Sequence, residues 1–146
     1  MESVVDIIDG YCICDTGSTD NTKEIITEFF KVRGIPGNII EEPFRDFGYN
    51  RAFALNACNS MENMDYILLL DADMVLQGNA LKSNAQFKST LKLDYYCICQ
   101  GSPTYYYKNV RIVKNKCGFS YWGVTHEYVT TPTGASMGTV YRDWRY

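Results

Sequence analysis

Two aspartates follow the strongest strand signal in the sequence. Tyr66 to Leu70 is a short apolar run, and Asp71-Ala72-Asp73 comes directly after it. A run of this length is too short for a helix and predicts a buried strand. In an open α/β sheet, the carboxyl ends of the strands open onto the ligand crevice. If the chain stays extended through Ala72, both carboxylates point the same way.

Paired carboxylates have a specific chemical use. They repel each other unless a cation lies between them. Mg²⁺ or Mn²⁺ suits such a pair, because these ions take few protein oxygens and fill their other positions with water and substrate phosphate. The competing interpretation, helix caps or turn formers, poorly explains two acids that close so apolar a strand. We therefore expect Asp71 and Asp73 to be metal ligands.

A third aspartate, Asp15, closes the apolar run Tyr11 to Cys14, which predicts a buried parallel strand. Turn and capping residues follow, and then a helix begins near Thr22. The amino end of that helix offers unpaired amides and a partial positive charge. Asp15 is thus placed to accept a hydrogen bond from a ribose hydroxyl or a base N–H. Capping explains Ser18 and Asp20 equally well.

The remaining patterns define the fold class. Strand and helix alternate early in the chain, whereas the later part is mostly strand, so we expect one α/β domain with a mixed sheet flanked by helices. The predicted helices are Thr22–Val32, Tyr49–Cys58 and Asn79–Leu91, with Ser3–Ile8 as the end of a helix. The predicted strands are Tyr11–Cys14, Asn38–Glu42, Tyr66–Leu70, Tyr95–Cys99, Tyr105–Val113, Gly118–Tyr121 and Val124–Val129.

Composition narrows the class of protein. The 146 residues are 46% hydrophobic and 21% charged, which is ordinary for one globular domain. The formal net charge of −3 argues against a nucleic-acid or anionic-membrane partner. The six cysteines include two Cys-x-Cys pairs in apolar runs, which indicates packed free thiols in a reducing compartment. No signal peptide and no apolar run of about 18 residues occurs, so we expect a cytoplasmic protein without a membrane span.

Several ordered motifs resemble those of family 2 glycosyltransferases. Cys14–Thr22 resembles the Asp-x-Gly-Ser-x-Asp-x-Thr signature of that family, and the spacing to Leu70–Asp73 is also similar to it. The intervening segment Asn50–Asn56 is similar as well. Arg111–Asn115 and Tyr121–Glu127 resemble the later part of one branch of the family. The resemblance covers nearly the whole chain.

This resemblance implies a GT-A-like (Rossmann-like) fold, a nucleoside-diphosphate sugar donor and usually inversion at the anomeric carbon. Asp15 matches the nucleoside-contacting position, commonly for uridine, and Arg51 matches a basic position near the nucleotide pocket. The alternative for Arg51 is a surface helix residue. Asp71 and Asp73 match the Asp-x-Asp metal site, where Asp71 also serves the nucleotide. Residues 1–78 would form the nucleotide- and metal-binding half, and residues 79–146 the acceptor side.

The sequence departs from the family pattern at its start. Family members normally begin with a strand carrying residues such as Lys-Asn-Glu, and no such strand precedes Ser3. We therefore expect a shortened domain whose first strand is missing, and we expect the exposed sheet edge to favour a homo-oligomer.

His126 and Glu127 are the late site candidates. The resemblance indicates that His126 reaches the metal or the diphosphate, and imidazole is more natural on Mn²⁺ than on Mg²⁺. The alternative is a packed or surface histidine. Glu127 is a candidate general base for the acceptor hydroxyl, although neighbours in a strand face opposite ways. Tyr107 and Trp122 could stack on sugar rings, but we expect both to be packing residues.

Two other functions compete with metal-dependent sugar transfer to an unknown acceptor. An Asp-x-Asp phosphatase would also place Asp71 and Asp73 after an apolar strand, but its pair normally lies near the start of the domain. Release of phosphate from a generic ester would favour it. A non-catalytic nucleotide-binding relic is the other possibility, and binding of nucleotide without transfer would favour it.

Overall fold

The computed structural model describes residues 1–77, 84–101 and 105–140. Its elements in chain order are β1 (Tyr11–Asp15), α1 (Thr22–Lys31), β2 (Gly37–Glu41), α2 (Phe47–Cys58), β3 (Tyr66–Leu68), α3 (Asn84–Thr90), β4 (Tyr95–Gly101), β5 (Tyr106–Lys114), β6 (Ser120–Trp122), β7 (Tyr128–Thr130) and β8 (Met137–Thr139). The expected mixed α/β architecture is confirmed. In the predicted helix Asn79–Leu91, residues 79–83 lie outside the described residues.

The chain forms two compact units, and each is assembled from separate segments. Unit 1 comprises Met1–Ile7, Asp65–Cys117 and Pro132–Tyr146, and unit 2 comprises Ile8–Met64 and Gly118–Thr131. Each unit therefore contains residues from both sides of position 78.

Unit 2 is built on two small sheets with two helices beside them. β1 and β2 pair in parallel, as predicted for β1, while β6 and β7 form an antiparallel pair. The apolar stripe of α1 contains Ile26 and the nearly inaccessible Phe30, whose ring stacks on Tyr11 at a centroid distance of 4.0 Å. α2 packs against both β1 and β6, so it connects the two sheets of the unit.

Unit 1 is built on a four-stranded sheet of order β3-β5-β4-β8. β5 pairs antiparallel with β3 and β4, whereas β8 pairs in parallel with β4. Ile98 and Val113 are fully buried and form the centre of this core. β8 was not predicted, because its three residues, Met-Gly-Thr, are too few to show a strand pattern.

Several predicted elements differ from the structure, including the strand predicted at Gly118–Tyr121, which is observed at Ser120–Trp122. Ser3–Ile8 is not the end of an α-helix, since the hydrogen bonds there, from Val4 N to Met1 O and from Ile7 N to Val4 O, close turns. β3 ends at Leu68 rather than Leu70. Leu69 still donates to the carbonyl of Arg111 at 2.8 Å, but the chain then turns away from the sheet.

The predicted strand Val124–Val129 is also wrong in its first part. β7 begins only at Tyr128, because the backbone turns between β6 and β7. Gly123 has φ +106° and His126 has φ +56°, and neither value is compatible with an extended strand.

Candidate functional site

Asp15 lies at the carboxyl end of β1 and is 6% exposed. Its Oδ2 accepts hydrogen bonds from the backbone N–H of Gly17 at 3.1 Å and of Ser18 at 3.0 Å. The pKa of Asp15 lies below its ordinary value, chiefly because the Ser18 side chain donates a hydrogen bond to the carboxylate, and also because these amides donate to it. Desolvation opposes this shift. The carboxylate is therefore charged at neutral pH and shapes the turn that follows β1.

The loop after β2 is fastened by Asn50, a buried residue of α2. Its side-chain oxygen accepts from the N–H of Arg45 at 2.9 Å, and its amide donates to the carbonyl of Pro43 at 3.1 Å. Nearby, the hydroxyl of Tyr49 donates to Glu42 at 2.9 Å, and this carboxylate raises the pKa of Tyr49. The loop beside Asp15 is thus held by side chains of α2 that sequence reasoning did not single out as site residues.

Arg51 and Glu127 form an ion pair within unit 2. Their side chains are 29% and 13% exposed, so the pair is largely shielded from water. The guanidinium of Arg51 also lies 5.8 Å from the ring centre of Phe47 and 6.0 Å from that of Tyr121. The structure therefore brings together two predicted site residues that sequence reasoning had assigned to separate tasks.

A close backbone approach supports this ion pair. Gly48 lies in the first turn of α2, and a Cβ atom built there would overlap the carbonyl oxygen of Gly123. Only glycine lets the helix come this near to the turn between β6 and β7. The missing side chain at position 48 thus allows α2 and the hairpin to meet one helical turn before Arg51. The predicted helix begins at Tyr49, so sequence reasoning placed Gly48 outside it.

His126 is exposed and lies in the turn between β6 and β7, with a left-handed backbone. The objection that His126 and Glu127 alternate along a strand does not apply, because the backbone turns at these residues. Glu127 is directed to Arg51, whereas His126 remains accessible to solvent.

Asp71 and Asp73 lie in a turn of unit 1. The N–H of Met74 donates to the carbonyl of Asp71 at 3.1 Å, so the chain is not extended through Ala72. An extended chain would point both carboxylates the same way, but the backbone turns here, so strand geometry does not align them. Asp71 is partly buried, while Asp73 is exposed.

Arg111 is the neighbour of Asp71 that the sequence analysis missed. It is a buried residue of β5, and its Nη1 lies 3.4 Å from Oδ2 of Asp71. Its Nη2 donates to Oε1 of Gln100 at 2.8 Å. The sequence does place Arg111 among apolar β-branched residues of a predicted strand. A charge in such a position indicates a buried side chain that needs polar or charged partners.

The predicted residues are divided between the two units. Asp15, Arg51, His126 and Glu127 belong to unit 2, and Asp71 and Asp73 belong to unit 1. In the described part of the chain, no group of three or more His, Cys, Asp or Glu side chains is arranged to hold a metal ion. In those same ranges, no helix is long and apolar enough to cross a membrane.

All six cysteines are free thiols. Cys12 of β1 and Cys58 of α2 share a hydrogen bond, which lowers the pKa of Cys12 and raises that of Cys58. The Sγ of Cys58 also lies 3.3 Å from the carbonyl oxygen of Ala54. These thiols act as packing groups between β1 and α2.

The expected packing role of Tyr107 and Trp122 is wrong. Tyr107 is 46% exposed and Trp122 is 66% exposed. Adjacent residues of a strand face opposite ways. Tyr121 of β6 lies on the side that packs against α2, so Trp122 lies on the opposite, exposed side.

Comparison with known proteins decides the family. A sequence model described as glycosyl transferase family 2 matches residues 2–138. The chain belongs to glycosyl transferase family 2. No individually curated protein matches it significantly in sequence. The match spans the segments of both units that carry the candidate residues, and the mixed α/β fold is GT-A-like.

Membership in family 2 supports glycosyl transfer in general as the activity. It also supports a nucleotide-sugar donor and an acceptor as the partners, because these are the reactants of this family. Enzymes of family 2 commonly use a divalent metal.

Proposed function

We propose that this family 2 glycosyltransferase transfers a sugar from a UDP-sugar to an acceptor hydroxyl, in a metal-dependent reaction that inverts the anomeric centre. The family match carries the proposal, because it extends over residues 2–138 and includes every candidate site residue. The cytoplasm is the proposed location, which the six free thiols support.

Asp71 and Asp73 are the proposed ligands of Mn²⁺ or Mg²⁺. Their chemistry fits these ions, which prefer carboxylate, water and phosphate oxygens. When bound, the ion supplies positive charge that stabilises the departing nucleoside diphosphate. Arg111, 3.4 Å from Asp71, fixes the position of this carboxylate from the protein side. Asp71 is also a proposed contact for the nucleotide, and the solvent-accessible imidazole of His126 is a proposed contact for the metal or the diphosphate.

Asp15 is the proposed contact for the nucleoside. Its Oδ2 is held by the amides of Gly17 and Ser18, which fixes the carboxylate at the end of β1. A fixed, charged acceptor is suited to a ribose hydroxyl or to the N–H of uracil.

Glu127 is the proposed general base, and Arg51 orients it. Glu127 takes the proton of the acceptor hydroxyl while that oxygen attacks the anomeric carbon. The bond from the sugar carbon to the diphosphate oxygen breaks on the opposite side, and the nucleoside diphosphate leaves with the electron pair. Arg51 is also the proposed basic residue near the nucleotide pocket, and its ion pair with Glu127 supports an additional orienting role.

Calorimetric titration with UDP tests the donor site. We expect UDP to bind in the presence of Mn²⁺, and we expect Asp71→Ala and Asp73→Ala each to weaken that binding at least about tenfold, the effect of losing roughly 1.4 kcal/mol. Asp6→Ala, an exposed carboxylate of the same unit, is the matched control and should bind as the native chain does. Equal binding without metal, or unchanged binding in both aspartate variants, would contradict the metal site.

Release of UDP from a panel of UDP-sugars, with water or added oligosaccharide as the acceptor, tests the reaction. Binding of UDP without any turnover would instead indicate a nucleotide-binding relic. Release of phosphate from p-nitrophenyl phosphate, without any sugar donor, would indicate a phosphatase.

A further inference from the structure

The hairpin formed by β6 and β7 has two different faces. Tyr121 and Val129 are paired in register on the inner face, where Val129 is buried and Tyr121 lies beside Arg51 of α2. Trp122 and Tyr128 are the next pair, and because strand residues alternate, they lie on the outer face. The inner face is thus occupied by unit 2 itself, and the outer face is not.

The outer pair forms an exposed aromatic surface, which we call the Trp122–Tyr128 platform. Trp122 is 66% exposed and Tyr128 is 56% exposed. Their ring centres are 6.2 Å apart and their planes are tilted by 47°, so the two rings are neighbours that do not share one plane. Large aromatic side chains that gain little from burial are candidates for ligand contact, because aromatic residues dominate the energetics of binding surfaces.

The chemistry of this face selects the class of ligand. Ser120 and Thr130 extend the same outer face by strand alternation, so its paired positions carry no charged side chain. An uncharged aromatic surface bordered by hydroxyl groups does not suit a phosphate or a nucleic-acid backbone, which need cationic partners. It suits an uncharged pyranose ring, whose C–H face packs on aromatic carbons while its hydroxyl groups remain in water.

We propose that the Trp122–Tyr128 platform binds a pyranose ring of a glycan acceptor by stacking. The position supports this, because Tyr128 directly follows Glu127, the residue proposed to take the proton of the acceptor hydroxyl. A ring held on the platform therefore lies on the same hairpin as that base but on its other face, because Glu127 is directed to Arg51 of α2. That the bound sugar belongs to an acceptor rests on the proposed function. Binding of the sugar ring itself can be measured independently of that function.

Tryptophan fluorescence provides the direct test. Trp144→Phe leaves Trp122 as the single tryptophan of the chain, and this variant is titrated separately with cellohexaose, chitohexaose and maltohexaose. We expect a saturable change of Trp122 emission with at least one of the three. Absence of a saturable change with all three, or a change of the same size with uridine alone, would overturn the proposal.

Substitutions locate the binding site. Trp122→Ala and Tyr128→Ala should each weaken oligosaccharide binding at least tenfold by calorimetry, whereas Trp122→Phe should retain most of it. The control is Tyr107→Ala, because Tyr105 and Tyr107 form a similar exposed pair, 6.3 Å apart at 45°, in unit 1. Loss of binding in Tyr107→Ala, with Trp122→Ala unchanged, would overturn the proposal.

One further variant separates this inference from the proposed donor site. Asp71→Ala should lose Mn²⁺-dependent UDP binding but keep oligosaccharide binding. If UDP binding fails the earlier test while Trp122-dependent sugar binding persists, the donor proposal is wrong and the platform stands. Far-ultraviolet circular dichroism of each variant confirms that a lost signal reflects lost binding rather than unfolding.

Discussion

Arg51 and Glu127 form a partly shielded ion pair that connects α2 to the turn between β6 and β7. Sequence reasoning assigned the first residue to the nucleotide and the second to the acceptor hydroxyl. In the structure, each is a charged partner of the other. The orientation of a candidate base in this chain thus depends on a helix that is distant from it in sequence.

Removing one partner of this pair should destabilise unit 2. Arg51→Met removes the cation that pairs with the largely buried Glu127 carboxylate, and Glu127→Gln removes the negative charge that faces Arg51. We expect each change to lower the free energy of unfolding by about 1–3 kcal/mol, measured by urea denaturation. The double variant should lose less than the sum of the two single losses. Strictly additive losses would show that the two side chains do not interact.

Gly48→Ala should also destabilise the chain, although the same change inside a helix normally stabilises it by about 1 kcal/mol. The added Cβ would overlap the carbonyl oxygen of Gly123, so α2 and the hairpin would have to separate. We expect a loss of about 1–3 kcal/mol, as for other overpacked sites. Ala52→Gly, in the same helix, is the companion variant and should show only the propensity cost. A higher melting temperature for Gly48→Ala would disprove the close approach.

Asp15 should make stability depend on pH in the acidic range. Because its folded pKa lies below the ordinary value of 3.8, the charged carboxylate stabilises the fold above that value. The contribution is lost as the pH falls through the folded pKa. Asp15→Asn should therefore be less stable than the native chain at pH 7, and the difference should shrink toward pH 3. An unfolding free-energy difference that does not change with pH would contradict this role.

The cause of this pKa shift can be tested separately. Ser18→Ala removes the largest contribution, so the Asp15 titration followed by carboxyl carbon NMR should move to higher pH. Ser89→Ala, in α3 of unit 1, should leave that titration unchanged.

Arg111→Met should strongly destabilise unit 1. The guanidinium is buried and contacts both Asp71 and Gln100, so its loss removes a cation that lies 3.4 Å from the partly buried Asp71 carboxylate. We expect a loss of about 3 kcal/mol in urea denaturation. Gln100→Ala removes the two hydrogen bonds that Oε1 of Gln100 accepts, from Arg111 and from Asn109, and should cost about 1–2 kcal/mol. Equal losses for the two variants would show that the ion pair with Asp71 contributes little.

Local patterns predicted the elements whose residues carry a clear periodicity. β1, α1, α2, β4 and β5 are all found near their expected bounds, because apolar runs and amphipathic stripes are properties of adjacent residues. β8 was not predicted, because it is a strand through its pairing with Tyr95–Cys97, and its own three residues show no strand pattern.

Other features depend on contacts between distant segments. Nothing local indicates that His126 adopts a left-handed backbone, so Val124 to Glu127 was interpreted as strand. The exposure of Trp122 depends on which face of the hairpin α2 covers. The burial of Arg111 depends on the neighbouring strands and on the turn that carries Asp71. The types of the candidate site residues were therefore accessible from sequence, but their partners were not.

The discontinuity of unit 2 has a consequence for the order of events during synthesis. Residues 8–64 leave the ribosome first, yet the hairpin that α2 packs against belongs to residues 118–131. The newly made helix therefore exposes its hairpin-facing side until more than fifty further residues have been translated. A nascent chain arrested before Gly118 should be an easy target for chaperones and proteases, and it should lose that vulnerability once Thr131 has emerged.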